Sequence, residues 1–174
     1  MNRKTGATRL ASKLLNQVGY DLDQVNPQKP SSCATDVEKI AEALDINIVP
    51  YPFSENISGV FFRKDNKLFL GVNSSHHIHR QRFTIAHEIG HFLLHATEAL
   101  HYDKGPENEM FFRADNITNL DEIQANHFAA ELLMPKEAVL KCIKEGAKSS
   151  QELSECFNVS EDAMRYRLVN IGLL

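Results

Sequence analysis

The 174-residue sequence contains no apolar run approaching the roughly 18 residues that a membrane span requires. Its N-terminus is basic at Arg3 and Lys4 and then amphipathic, without the continuous apolar stretch of a signal peptide. A cytoplasmic protein without a membrane partner is the expectation. Paired-cysteine motifs are absent too: the three cysteines, Cys33, Cys142 and Cys156, are scattered and form no CxxC. Such usage suits a reducing compartment and predicts buried or idle thiols. The chain also lacks a marked excess of either charge, and a formal net charge of -4 gives no global attraction to nucleic acid or to an acidic membrane surface. Neither an internal repeat nor a low-complexity tract is found. What remains is an ordinary globular composition, 43% hydrophobic and 24% charged. A chain of this size forms one domain, or one with a small appendage, and buries roughly two-thirds of its unfolded surface.

Periodicity divides the chain into three stretches. Leu10, Leu14, Leu15 and Val18 recur at helical spacing and are followed by Gly19 and a linker-like loop, so residues 1–30 are expected to form an N-terminal helix and linker. Residues 31–135 form the expected main domain. There, Thr35 followed by Glu38 reads as a capping box for a helix whose apolar stripe is Val37, Ile40, Ala41 and Leu44. Segments 46–53, 59–63 and 67–72 are rich in β-branched and aromatic residues, with Asp65-Asn66 as a hairpin turn, and predict a small antiparallel sheet. A helix is expected over 80–95, a polar loop over 97–118, and a second helix over 119–134 stopped by Pro135, which can also start the next one. Residues 136–174 are expected to form a helical tail with two short helices around Asn158-Val159-Ser160.

The chemistry concentrates in His87-Glu88-Ile89-Gly90-His91. Residues four apart on a helix lie one above the other, about 6 Å apart along the axis, so two imidazoles converge on one point. At about 100° per residue from His87, His91 falls near 40°, Thr84 near 60°, His95 near 80° and Glu88 near 100°, a narrow polar stripe on an otherwise apolar helix. Neutral imidazoles ligate Zn²⁺, a zinc-bound water has its pKa lowered to about 7, and an adjacent carboxylate takes the proton during attack. Glu88 is the candidate for that base. The plain alternative is the solvated side of an amphipathic helix.

A third ligand separates the two readings. The metzincin solution places a histidine where this chain has Thr97, and is set aside. A carboxylate from a later helix is the other solution. Around the 119–134 helix, Gln124, His127 and Glu131 cluster on what reads as the wet face, whereas Glu122 lies opposite, in line with Ala125, Asn126, Ala129 and Leu133. A carboxylate heading a small-residue face is costly to bury unless a cation faces it. Glu122 is therefore the candidate third ligand, with Asn126 one turn on to orient its carboxylate. The competing explanation is that Glu122 merely offsets its own helix dipole, a role Asp121 already fills.

The segments Arg82-Phe83-Thr84-Ile85-Ala86-His87-Glu88-Ile89-Gly90-His91 and Glu122-Ile123-Gln124-Ala125-Asn126-His127-Phe128-Ala129-Ala130-Glu131-Leu132-Leu133-Met134-Pro135 resemble the ImmA/IrrE family of metallopeptidases. The resemblance extends more weakly upstream and covers roughly residues 30–135. It implies His87, His91 and Glu122 as zinc ligands and Glu88 as catalytic base. The fold it implies is α+β and zincin-like: a small antiparallel or mixed sheet packed on the active-site helix, with an edge strand that accepts an extended peptide. The task it implies is site-specific cleavage of a helix-turn-helix repressor, often encoded nearby, in phage, mobile-element or stress circuits. A non-cleaving antirepressor or a toxin-antitoxin component is the alternative. Residues 98–112 match no motif of the family.

Other polar features carry weaker readings. His76, His77 and His79 sit in a Ser-rich turn without a shared helical face and read as surface loop; His101 and His127 read as exposed. His95 lies about 12 Å above His87, too far to share an ion. Tyr51, Tyr102, Arg80 and Asn126 could each serve an oxyanion. The tail has a helix-turn-helix rhythm with Ser160 as N-cap. Its six bases (Lys136, Lys141, Lys144, Lys148, Arg165, Arg167) meet six acids (Glu137, Glu145, Glu152, Glu155, Glu161, Asp162). Such a balance is a poor footprint for duplex DNA and favours packing or protein docking.

Overall fold

The computed structural model describes residues 3–95, 110–112 and 119–174. Helix α1 (Arg3–Gln17) buries Ala7, Ala11, Leu14 and Leu15 along one stripe. It ends where Gly19 takes φ +76 and the Tyr20 amide reaches back to the Leu15 carbonyl, a turn a side chain would disfavour. The loop that follows leads into α2 (Val37–Ala43), whose apolar stripe Val37, Ile40 and Ala41 is fully buried. Its cap is not the expected Thr35. Asp36 accepts the Lys39 amide at 2.9 Å, the better acceptor of two adjacent eligible residues, and this frees the Thr35 hydroxyl to donate to the Leu132 carbonyl at 2.7 Å.

Three strands follow: β1 (Ile46–Tyr51), β2 (Gly59–Lys64) and β3 (Lys67–Asn73). Asp65 and Asn66, at φ 48 and 60, close the β2–β3 hairpin, which pairs antiparallel from Gly59↔Val72 to Lys64↔Lys67. The sheet is mixed rather than antiparallel throughout, because β1 joins β3 in parallel, Ile46↔Leu68 through Tyr51↔Asn73. A fourth strand, β4 (Met110–Phe112), pairs antiparallel with β2 inside the stretch expected to be loop, giving the order β1-β3-β2-β4. The rest of the 97–118 stretch, with Thr97, His101 and Tyr102, lies outside the described residues.

Helix α3 (Ile78–His95) buries Ile85, Ala86 and Ile89, and α4 (Asn119–Leu133) packs across α3. The two helices come close where both are small. A β-carbon on Gly90 would stand 3.0 Å from a Phe128 ring carbon and 3.3 Å from the Ala125 Cα.

The chain continues through α5 (Lys136–Lys144), α6 (Ser150–Phe157) and α7 (Glu161–Asn170). Ser149 and Ser160 cap α6 and α7, and Asn158 takes the left-handed conformation at φ 51 that turns the chain between them. Phe157, Met164 and Leu168 join the same core cluster as α1 and α4. This overturns the wet-face reading of Glu131. The tail folds back over that side of α4, leaving Glu131 only 5% exposed and ion-paired to the buried Arg167, which also donates to the Met134 carbonyl. Arg82 makes a second buried clamp. From α3 it donates to the Thr35 carbonyl at 2.8 Å and to the Asn158 carbonyl at 3.2 Å, holding the segment before α2 and the α6–α7 turn together.

Candidate metal centre

Helix α3 presents His87 and His91 one turn apart, and the close approach of α4 sets Glu122 in front of them. The two Nε2 atoms stand 3.0 Å apart. Glu122 Oε2 is 3.4 Å from His87 Nε2, and Oε1 is 3.2 Å from His91 Nε2. Around a tetrahedral ion with bonds of about 2.0–2.1 Å, donor atoms are separated by about 3.4 Å, so the two nitrogens and one Glu122 oxygen fit one face of such a shell. No other metal-sized cluster of His, Asp or Glu is found among the described residues.

The electrostatics match a cation site. Burial, set against Glu122 and the Asn126 hydrogen bond, holds the His87 pKa below its ordinary value. Burial and then the neighbouring His87 pull His91 down to about 4. Both rings are therefore neutral near pH 7 and keep lone pairs to offer. Glu88 goes the other way: burial first, and the Glu122 charge second, push its carboxyl up to about 7. A dication held by the cluster would favour the carboxylate form again.

Asn126 does not orient Glu122 as expected. Its Oδ1 stands 3.0 Å from His87 Nδ1, and with Nδ1 protonated that ring donates there and turns an unprotonated Nε2 to the centre. His95 extends the stripe: its ring lies 5.6 Å from that of His91 and its Nδ1 stands 3.5 Å from Asp121, and it is not one of the converging donors. His77 and His79 stack edge to face, and His76 lies within hydrogen-bonding distance of the Glu55 carbonyl at 3.2 Å, so none of the three reaches the centre. Of the oxyanion candidates, Arg80 is engaged with the Ser58 hydroxyl and Tyr51 is 56% exposed against Phe53.

Two contributors escape a reading of the sequence. A β-carbon on Gly59 would lie 2.7 Å from Thr84 Cγ2 and 3.3 Å from Glu88 Cγ, so the start of β2 runs flush against the Glu88 side chain. Asn73, wholly buried at the end of β3, donates to the carbonyls of Phe53, Ser54 and Ile57 and accepts the Ser75 amide, fixing the loop that leads into Gly59. A glycine in a strand signals close backbone approach in general terms. Its partner helix is settled only by the fold.

The sequence profile of the IrrE N-terminal-like domain, Peptidase_M78, matches residues 41–169, so the matched region runs through the tail as well as the helix pair. A protein of Bacillus phage phi105, "Uncharacterized immunity region protein 2", is 30% identical over 100 residues, covering 56% of this chain and 57% of its own. A solved structure, "Mycobacterium tuberculosis transcriptional regulator", superposes with a TM-score of 0.60 at 15% identity over 94% of this chain and 46% of its own length. The last likeness shows a shared fold. The chain spans about half the length of each of these two proteins.

Proposed function

Because the chain belongs to the Peptidase_M78 family, the IrrE N-terminal-like peptidases, we propose that it is a zinc-dependent endopeptidase that cuts one site in a partner protein. His87, His91 and Glu122 are the zinc ligands in this reading, and Glu88 is the general base. The observation that carries it is the convergence of two Nε2 atoms and a carboxylate within 3.0–3.4 Å of one another beside a carboxyl whose proton affinity lies near neutrality.

Bound there, Zn²⁺ would supply Lewis acidity toward a peptide carbonyl and lower the pKa of a water to about 7. The chain's own groups do the rest. Glu88 receives the proton of the attacking water on its carboxylate and hands it to the departing amine. Asn126 fixes the His87 ring, and the flush contact at Gly59 limits the rotamers open to Glu88. The partner proposed is a helix-turn-helix repressor encoded near the chain's own gene, the task that the family resemblance implies. A relative named for a phage immunity region supports that direction.

The test is incubation of the zinc-loaded protein with the neighbouring repressor, read by intact mass. Wild type should yield two fragments, and Glu88→Gln should lower kcat/KM by about 10²–10⁴ while still carrying about one zinc per chain. Equal rates would remove Glu88 from the mechanism. A stable complex with an uncut partner would establish the non-cleaving alternative.

A further inference from the structure

Three cysteines that are scattered in sequence meet in the core. Cys33 lies in the segment before α2, Cys142 on α5 and Cys156 on α6, each no more than 1% exposed. Cys33 and Cys156 are disulfide-bonded across a separation of 123 residues. The Cys142 sulfur touches that of Cys33 at 3.5 Å. We propose that Cys33, Cys142 and Cys156 form a redox site, in which a reversible Cys33–Cys156 disulfide staples the segment before α2 to the tail and Cys142 is the exchange thiol.

The surroundings favour a neutral disulfide over a metal thiolate. Three thiolates on one ion would carry negative charge into the core, yet the adjacent Ser32 hydroxyl already donates to the Asn26 carbonyl at 2.5 Å. Burial, helped by Glu145, pushes the Cys142 thiol up to about 11, which keeps that sulfur protonated while the core is closed.

The chemistry balances with a peroxide as oxidant. One thiol of the Cys33–Cys156 pair is oxidised to a sulfenic acid with release of water, and the other displaces a second water to form the S–S bond. Two thiols lose two electrons, and the peroxide is reduced to two waters. In exchange, which requires the core to open, Cys142 gives up its proton and attacks the Cys33 sulfur, the Cys33–Cys156 bond breaks, and Cys156 leaves and takes up that proton, with no net redox change.

The position couples this bond to helix α3. Cys33 and Cys156 each stand two residues before a carbonyl that Arg82 holds, those of Thr35 and Asn158. The staple therefore closes covalently the same two segments that α3 clamps by hydrogen bonds. In the reduced chain Arg82 holds them without a covalent link.

The experiment compares the full-length zinc-loaded chain treated with hydrogen peroxide or with dithiothreitol. After peroxide, non-reducing peptide mapping should return a Cys33–Cys156 cross-link, one thiol should remain after denaturation, and the melting temperature should exceed that of the reduced chain by about 5–15 °C. Cys33→Ser and Cys156→Ser should each abolish that difference. Cys142→Ala should keep it but lose a minor Cys33–Cys142 cross-link. The wild-type comparison alone decides the matter if a variant fails to fold. Three thiols surviving peroxide would overturn the proposal. So would zinc or copper(I) retained by reduced His87→Ala/His91→Ala protein in a form that blocks oxidation, which would make the cluster a metal site.

Discussion

Glu122 and Glu131 sit on the same helix, α4, and meet opposite fates. Glu131 is almost fully enclosed and finds its counter-charge within the chain, at Arg167 of α7. Glu122 keeps 44% of its side chain exposed and faces two histidines that burial holds neutral. One carboxylate is satisfied by folding alone. The other stands before a pair of lone-pair donors, an arrangement that makes chemical sense once a cation is added. The contrast separates a structural ion pair from a candidate metal site on one scaffold.

The comparison breaks most decisively at Glu131. Glu131→Ala leaves the Arg167 charge buried and unpaired and should cost about 3–5 kcal/mol in denaturant unfolding, with or without zinc, whereas Glu131→Met with Arg167→Leu should recover most of that loss. Glu122→Ala should do the reverse. The metal-free chain should keep its stability, but the gain of about 2.7 kcal/mol expected from zinc at a hundred times its Kd should vanish. A zinc-dependent rise in the melting temperature of that variant would remove Glu122 from the ligand set. Asn126→Ala, which frees the His87 ring, should weaken zinc binding by about 10–100-fold in competition with a chelator.

A further effect is one of pH. The Glu88 carboxyl, raised from 4.5 to about 7, holds in the folded state a proton that the unfolded chain releases. Its contribution to stability is complete below pH 4.5 and is lost as pH rises through 7. Metal-free Glu88→Gln escapes that loss, so it should become more stable than wild type as pH rises from 4.5 through 7, and the two should converge near pH 4.5. A difference that does not vary with pH would show that ionised Glu88 costs the fold nothing.

The helix pair was legible because its information is local. The turn-apart spacing of His87 and His91 and the small-residue face under Glu122 follow from helix periodicity, and Asp65-Asn66 announces its own turn. The parts that could not be read depend on which distant segment returns. Nothing near Glu131 betrays Arg167, nothing near Ile46 shows that β1 joins β3 in parallel, and no spacing rule links cysteines on three separate segments. The Thr35 cap failed differently, by one residue, because a carboxylate stood next to the hydroxyl.

The return of α7 over α4 imposes an order of assembly. Helix α3 and the β2–β3 hairpin are built from neighbours in sequence and can form early, but the α4 side that carries Glu131 cannot be enclosed at low cost until residue 167 has been synthesised. The histidines are thus made well before the helix that completes their donor set is locked down. A nascent or C-terminally shortened chain would hold an imidazole pair without a firmly seated third group, so under the proposed reading the capacity to hold metal would arrive late and nearly all at once.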